Sequence, residues 1–460
     1  MTYEDRGLDR LPNEVLATIL SYCRQGDVFH LLLTGSPFYE LCLKRLYHTV
    51  VFDSEHSHFN KENRFKGTFV RTVGGLRDCL RSLDSERALL VKRMECYNSL
   101  EIPDLEVKKS FCRIFRLMVN LRRLKWFASP ELTVDLLQKI KTASQIKELS
   151  VDMALRNDGI SRKLADIKFE NLTTLCIRPF LNNDNLTMIA KAIASSHLKS
   201  LELGNSLQTD HKVGSGFAFG IVNTGDGMLD SFLVNLTNPL FNLERLVLEG
   251  VNVQDPLLLT NYVDLSNLHT FGLVGNPIGR NELAALLPYF SNKLKAVKID
   301  WPDPTSFISY LPSLHHLDIV ARNQRDIYSI EQHQQSLRHL VVRTPDNRSN
   351  TRLEYCIKSC PNLISLTMPY STTASHLRPL TSLTYLQLTK ARAKPYLGQP
   401  TTYLLEDTTR LQILIKQRAA VQPSLRFVKI EGFVFEIKNT RPPINRDGLN
   451  LWFDKIACNL

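Results

Sequence analysis

One six-residue pattern recurs along most of this chain: an apolar residue, two free positions, a second apolar residue, one free position, and a third apolar residue. It appears in "NLRRLKW" at Asn120, "QIKELSV" at Gln145, "NLTTLCI" at Asn171, "HLKSLEL" at His197, "NLERLVL" at Asn242 and "NLHTFGL" at Asn267. It continues in "KLKAVKI" at Lys293, "SLHHLDI" at Ser313, "SLRHLVV" at Ser336, "NLISLTM" at Asn362, "SLTYLQL" at Ser382 and "SLRFVKI" at Ser424. The first apolar residues fall at 121, 146, 172, 198, 243, 268, 294, 314, 337, 363, 383 and 425, so nine of the eleven steps lie between 20 and 26 residues. Alternation at the end of the pattern is a strand signature, and a period of this length leaves room for one strand and one return segment per unit. A unit that small cannot bury its own apolar face, so successive units must stack on one another.

The return segments have helical starts. In "SPELTVDLLQKI" Ser129 is placed to cap and Pro130 to take the first helical position, and "NNDNLTMIAKAIASS" from Asn182 and "NPIGRNELAALLPYF" from Asn276 space apolar residues as helices do. The pattern resembles the leucine-rich repeat, over about three quarters of the chain. The resemblance implies an α/β fold, a curved αβ solenoid with parallel strands on its inner face. Two long steps interrupt the period: residues 204–227 are polar and glycine-rich, and residues 390–407 hold "KARAKPYLGQPTTYLLED". Both read as insertions, where binding residues often sit. Residues 447–460, with Leu451, Trp452, Ile456 and Leu460 at helical spacing, read as a helix that caps the array at 120–446.

Residues 8–52 do not share the period. Pro12 suits a helix start, and Val15, Leu16, Ile19, Leu20 and Cys23 follow at steps of three and four until Gly26-Asp27 breaks the pattern. Asp27 is placed to cap a second helix through "VFHLLL", and Ser36-Pro37 to open a third through "FYELCLKRLY" before "HTVVF" turns to strand. Three short helices expose more apolar surface than they bury among themselves, which implies a partner. Residues 53–119 connect this module to the array through a polar loop, with "RALLVKRMEC" near Arg87 as a degenerate first strand that leaves no long free linker.

The order "LPNEVLATIL" then "DVFHLLLTGSPFYELCLKRLYHTVVF" resembles the F-box, chiefly in its Leu-Pro-x-Glu opening and in the Leu-Tyr that precedes the strand. The departure is "TGSPF", where Gly35, Ser36 and Pro37 replace the usual basic residue between a Cys or Ser and an aromatic one. The resemblance implies a Skp-family adaptor as partner and, through it, a cullin-RING ubiquitin ligase. It places Leu11, Pro12, Val15, Leu16, Ile19 and Leu20 against the adaptor, with Val28, Leu31, Leu32 and Phe38 contributing from the second and third helices. Helical spacing alone does not divide these between the adaptor and the module's own core.

Catalytic motifs are absent from the sequence. "GSGFAFG" at Gly214 is out of register for a dinucleotide fingerprint, and no P-loop, nucleophile elbow or zinc-protease motif occurs. No cofactor or metal is expected. Nine cysteines are scattered without metal-ligand spacing and read as reduced packing residues. His316 and Asp318 point the same way on one strand, with His339 one repeat on, so a metal or acid-base cluster is one reading and solvated polar residues the other. No apolar run approaches the roughly 18 residues that span a bilayer, and the start lacks a secretory signal, so no membrane role is expected and the location is cytoplasmic, nuclear or both.

The inner face carries the remaining expectation. Its outward positions hold seven basic residues (Arg123, Lys125, Arg178, Arg245, Lys298, Arg343 and Lys429) and seven acidic ones (Glu148, Asp152, Glu202, Glu249, Asp300, Asp318 and Glu431). A nucleic-acid groove is one-signed and interleaved with aromatics. This face is balanced, with aromatics only near its ends at Phe127, Tyr385 and Phe427, so a protein substrate is expected, touched also by His316 and His339. The net charge of +11 lies on lysines and arginines that never run longer than two, and it identifies no partner by itself. Taken with the resemblance to the F-box, this implies the non-catalytic substrate-recognition subunit of an SCF-type ubiquitin ligase. The alternative is an F-box scaffold or chromatin-associated protein that uses the adaptor without degrading its partners.

Overall fold

A computed structural model of the chain describes residues 11–34, 38–53, 67–99, 105–129, 131–155, 162–179, 181–204, 227–275, 280–300, 305–321, 323–344, 351–369, 377–389, 415, 420, 422–430, 433–437 and 444–445. Most of the two inserted stretches, the C-terminal residues 447–460, and Ser36-Pro37 lie outside the described residues. Two compact units make up the chain: Met1–Pro179 with Lys191–His197, and Phe180–Ala190 with Leu198–Leu460.

The first unit begins with three helices, α1 (Asn13–Tyr22), α2 (Gln25–Leu33) and α3 (Tyr39–Tyr47). The boundaries differ from the sequence reading at the first turn. The chain is extended at Cys23 and Arg24, so α1 stops there, and Gly26-Asp27 lies inside the first turn of α2. Asp27 caps backwards, its carboxylate accepting from the Arg24 backbone N–H at 3.1 Å. Seven strands follow: β1 (Thr49–Phe52), β2 (Thr68–Val70), β3 (Arg93–Ser99), β4 (Arg123–Ser129), β5 (Leu132–Thr133), β6 (Glu148–Ala154) and β7 (Thr174–Arg178). The parallel order is β2, β1, β3, β4, β6, β7, with β5 beside the end of β6. The strand leaving the helical module therefore enters the sheet directly, with Val50 opposite Met94. The cap expected at Ser129 lies elsewhere: Ser129 ends β4, and Thr133 caps a single turn, Val134–Leu137, by accepting from Leu136 N–H at 3.3 Å.

The second unit contains β8 (Ser200–Leu203), β9 (Arg245–Glu249), β10 (Thr270–Val274), β11 (Ala296–Ile299), β12 (His316–Val320), β13 (His339–Arg343), β14 (Ser365–Pro369), β15 (Tyr385–Thr389) and β16 (Phe427–Ile430). These are parallel and pair in chain order. The antiparallel strands β17 (Phe433–Glu436) and β18 (Ile444–Asn445) follow them.

Burial explains the register. In all twelve segments each of the three template residues is at most 2% exposed. Burying a side chain of this size contributes about 1.5–3 kcal/mol, and shifting a strand by one residue would turn the whole set out to solvent. Helical segments cover that side of the sheet. Phe111 and Phe115 of helix Leu105–Leu117 meet Trp126 of β4 at 5.1 and 6.2 Å between ring centroids, and Phe307 meets Phe271 of β10 at 6.2 Å. Asparagines just before the template tie one repeat to the last: Asn120, Asn171 and Asn362 donate to the carbonyls of Leu89, Ser144 and Gln335 at 2.7, 2.9 and 2.8 Å. Parallel template strands separated by helical returns constitute a leucine-rich-repeat fold.

Candidate functional surfaces

The helical module has a core of its own. Leu20, Val28, Cys42 and Leu46 form it, with Cys23, Leu31, Leu32, Phe38, Leu41 and Tyr47 packed around them. This corrects three of the residues expected on a partner: Leu16, Leu20 and Val28 are fully buried, and Leu20 and Val28 lie in that core with Cys42 and Leu46 of α3. Leu31, Leu32 and Phe38 are half-buried against the same core, and Leu11 is half-buried, whereas Pro12, Val15 and Ile19 are exposed.

Two further apolar rows, one on each of the first two helices, face outward. Val15, Ile19 and Tyr22 succeed one another at i, i+4 and i+7 on α1, and Phe29 and Leu33 at i and i+4 on α2, with Tyr22 63% and Leu33 68% exposed. Tyr22, Phe29, Leu33 and the exposed Tyr39 at the start of α3 were not among the residues expected at an interface. Phe29 and Leu33 carry the signal that finds them: they share a helix face that Val28, Leu31 and Leu32 do not.

The module is hydrogen-bonded to the strands that follow it. The Gln25 side-chain oxygen accepts from Phe69 N–H at 3.0 Å, Thr68 Oγ1 donates to the Leu46 carbonyl at 2.8 Å, and Tyr47 and Ser82 hydroxyls lie 3.3 Å apart. Val15, Ile19, Phe29 and Leu33 belong neither to the module's core nor to the residues packed against it, so their apolar surface is surplus to that core.

On the sheet's free face the charges expected to await a substrate already meet each other. In the first unit Lys125 and Arg123 contact Glu148 at 2.7 and 3.5 Å, Arg93 contacts Glu95 at 2.6 Å, and Tyr97 donates to Glu95 at 2.7 Å. Burial, the largest influence on Glu95, raises its pKa, but Arg93, Tyr97 and Lys125 together hold it below the usual carboxylate value. Arg178 lies over the Phe127 ring at 5.8 Å.

In the second unit Arg245 contacts Glu202 at 3.1 Å. Lys298 pairs with Glu249 although a whole strand lies between them. The residue of β10 opposite Lys298 is Gly272, which leaves the gap open; a Cβ there would come within 3.0 Å of Val247. Arg343 engages both oxygens of Asp318 in a buried pair.

His316 and His339 stack with centroids 5.7 Å apart at 21°. His316 is 3% exposed, and neither ring nitrogen has a hydrogen-bond partner among the described residues. Burial, with His339, Lys298 and Arg245 adding positive charge nearby, pushes its pKa down to about 3, so its ring is neutral at physiological pH. It is not a solvated residue, and Asp318 is committed to Arg343. Among the described residues no group of three His, Cys, Asp or Glu side chains is placed to hold a metal ion. Tyr385 and Phe427 stack at 5.8 Å and 7° on β15 and β16, half-buried, while Lys429 beside them is buried. Of the expected substrate contacts, Arg123 is the most open to solvent, while Lys298, His316, Asp318 and Arg343 are largely buried. No described helix is long and apolar enough to cross a membrane.

No family model matches the chain, and no curated protein matches it. Among solved structures it is similar to an internalin from Listeria monocytogenes, with 13% identity over 70% of this chain and 90% of the other and a TM-score of 0.34. It is similar to a leucine-rich-repeat protein from Leptospira interrogans, with 14% identity over 76% and 80% and a TM-score of 0.31. A chain in the yeast Rad7 and Elc1 complex aligns with 13% identity over 83% and 89% and a TM-score of 0.43. Identities this low say nothing of what the present chain binds.

Proposed function

We propose that this chain is a non-catalytic receptor: its N-terminal helices dock a Skp-family adaptor of a cullin-RING ubiquitin ligase, and its repeats hold a protein partner for modification by other subunits. The observation that carries the reading is the two outward rows, Val15, Ile19 and Tyr22 on α1 and Phe29 and Leu33 on α2, on a module that has a core of its own. Exposed apolar side chains arranged in stripes favour a partner of matching shape. The resemblance of Leu11-Pro12-Asn13-Glu14 and of the following helices to the F-box supplies that partner's class.

The repeats contribute position. Ubiquitin transfer needs a substrate lysine held near a conjugating enzyme, and a ladder of parallel strands hydrogen-bonded repeat to repeat suits that task. Co-expression of the full chain with a Skp-family adaptor tests the reading. Wild type is expected to co-purify with the adaptor, and Val15→Asp/Ile19→Asp to lose it while folding normally; undiminished co-purification of that variant would overturn the reading. Longer half-lives of the partners in cells lacking the protein are expected from a receptor, and unchanged half-lives from a scaffold.

A further inference from the structure

Cations far apart in the sequence are brought into a row by the strand register. The residue that precedes each strand hydrogen-bonds to its counterpart in the previous repeat: in the first unit Lys92 N–H donates to the His48 carbonyl at 3.0 Å, Arg122 to Lys92 at 2.8 Å, Lys147 to Arg122 at 2.7 Å and Thr173 to Lys147 at 2.9 Å. Each bond fixes one residue per strand at the same height, and neighbouring strands lie about 4.8 Å apart. Lys92, Arg122 and Lys147 therefore stand side by side at the N-terminal ends of β3, β4 and β6, with Arg93 and Arg123 next to them.

This edge differs from the free face of the sheet in charge balance. On the face, cations are neutralised by Glu148, Glu95 and their equivalents. Along the edge, Lys92 and Lys147 are exposed and have no carboxylate partner among the described residues. His48, at the head of the row, is a witness to the local potential: its pKa is lowered by burial first and then by Lys92, Arg93, Arg45 and Arg123. In the second unit the same positions run Lys199, Glu244, His269, Lys295, His315 and Arg338, linked at 2.7–2.9 Å, and there the row holds a carboxylate, Glu244, which pairs with Lys199 at 2.9 Å. There the His315 pKa is lowered by burial and then by Lys295 and Arg338 on either side.

We propose that the edge formed by Lys92, Arg122 and Lys147 is a docking surface for an acidic protein segment rich in aspartate and glutamate. A one-signed row attracts a one-signed ligand, and unpaired lysines on flexible stems accept carboxylates without a fixed geometry. A single nucleic-acid strand would call for aromatic platforms, and the row has none. Arg122 already donates to the Gln145 carbonyl and side chain, which takes away the free fork that phosphate recognition uses. The proposal does not depend on what the N-terminal helices bind.

Fluorescence anisotropy of a labelled decaglutamate peptide with the full chain tests it. Binding is expected to weaken as salt rises through the physiological range, where the screening length falls to about 8 Å. Lys92→Glu/Lys147→Glu is expected to weaken binding by about tenfold or more, and Lys92→Gln/Lys147→Gln by a smaller factor. Lys109→Glu/Arg116→Glu, an equal charge change at exposed positions of helix Leu105–Leu117, is expected to leave it unchanged, with circular dichroism confirming that all three variants fold. Equal losses in the two glutamate variants would overturn the proposal in favour of net charge alone. Tighter binding of a single- or double-stranded oligonucleotide of matched charge, or no binding of decaglutamate at low salt, would overturn it as well.

Discussion

The helical module and the repeat ladder are both made of short amphipathic pieces, yet they dispose of their apolar residues differently. In the ladder every template residue of all twelve segments is buried, because each repeat finds the same pattern in its neighbour. In the module, Leu16 and Leu20 go inward while Val15, Ile19 and Tyr22 on the same helix stay outside. A stacked array consumes its own apolar surface; three short helices fill one small core and have apolar residues left over. The leftover marks where binding is to be sought in the module. In the ladder, binding must come from charge and shape on residues that do no packing.

The largest loss of stability is expected from truncating a buried template residue of the ladder. Leu317→Ala, at a fully buried template position of β12, is expected to lower stability by about 2–5 kcal/mol in denaturant unfolding. If it cost no more than a surface change, the packing account of the ladder would fail. Asp318→Asn is expected to cost about 3 kcal/mol by leaving Arg343 without its buried partner; a near-neutral result would mean that the free face is not internally satisfied.

A pH series sharpens the same point. The folded His316 pKa of about 3 lies below the ordinary value of 6.5, so the unfolded chain takes up a proton that the folded chain refuses. Its contribution is complete above about pH 6.5 and is lost progressively as pH falls towards the folded value, by about 1 kcal/mol near pH 5.5. The measurement is the difference between wild type and His316→Phe, which keeps a ring against His339 and is expected to have the shallower slope. Identical slopes would contradict the assignment. The smallest effect on stability is expected from Val15→Asp/Ile19→Asp, within about 0.5 kcal/mol of wild type, because neither side chain packs in the module's core.

The repeat was legible in the sequence because each template triad is local and its burial follows from alternation over six residues. The segment near Arg87 that reads as a degenerate first strand divides in two: Ser85–Leu90 is helical, and the strand Arg93–Ser99 follows two earlier ones. What escaped depends on partners distant along the chain. Which stripe of α1 faces inward is decided by α3, so the resemblance to the F-box sets Leu16, Leu20 and Val28 beside Val15 and Ile19 and leaves out Tyr22, Phe29 and Leu33. The inner-face cations looked available because Lys298 and Glu249 are 49 residues apart, and only the strand register and Gly272 bring them together. The same register aligns Lys92, Arg122 and Lys147, which along the chain are merely scattered lysines and arginines. Caps were misplaced by a few residues, at Thr133 in place of Ser129, because the strand β4 continued further than turn chemistry implied.

The central claim is that the outward rows of the module are one half of an interface while the inward stripe is structure. Calorimetric titration of a Skp-family adaptor into the full-length wild type and into Phe29→Asp/Leu33→Asp, each with its melting temperature recorded, tests it most directly. The account predicts binding by wild type, loss of binding by the variant, and a melting temperature shifted by no more than a few degrees. Equal affinity of the two proteins for the adaptor would contradict it.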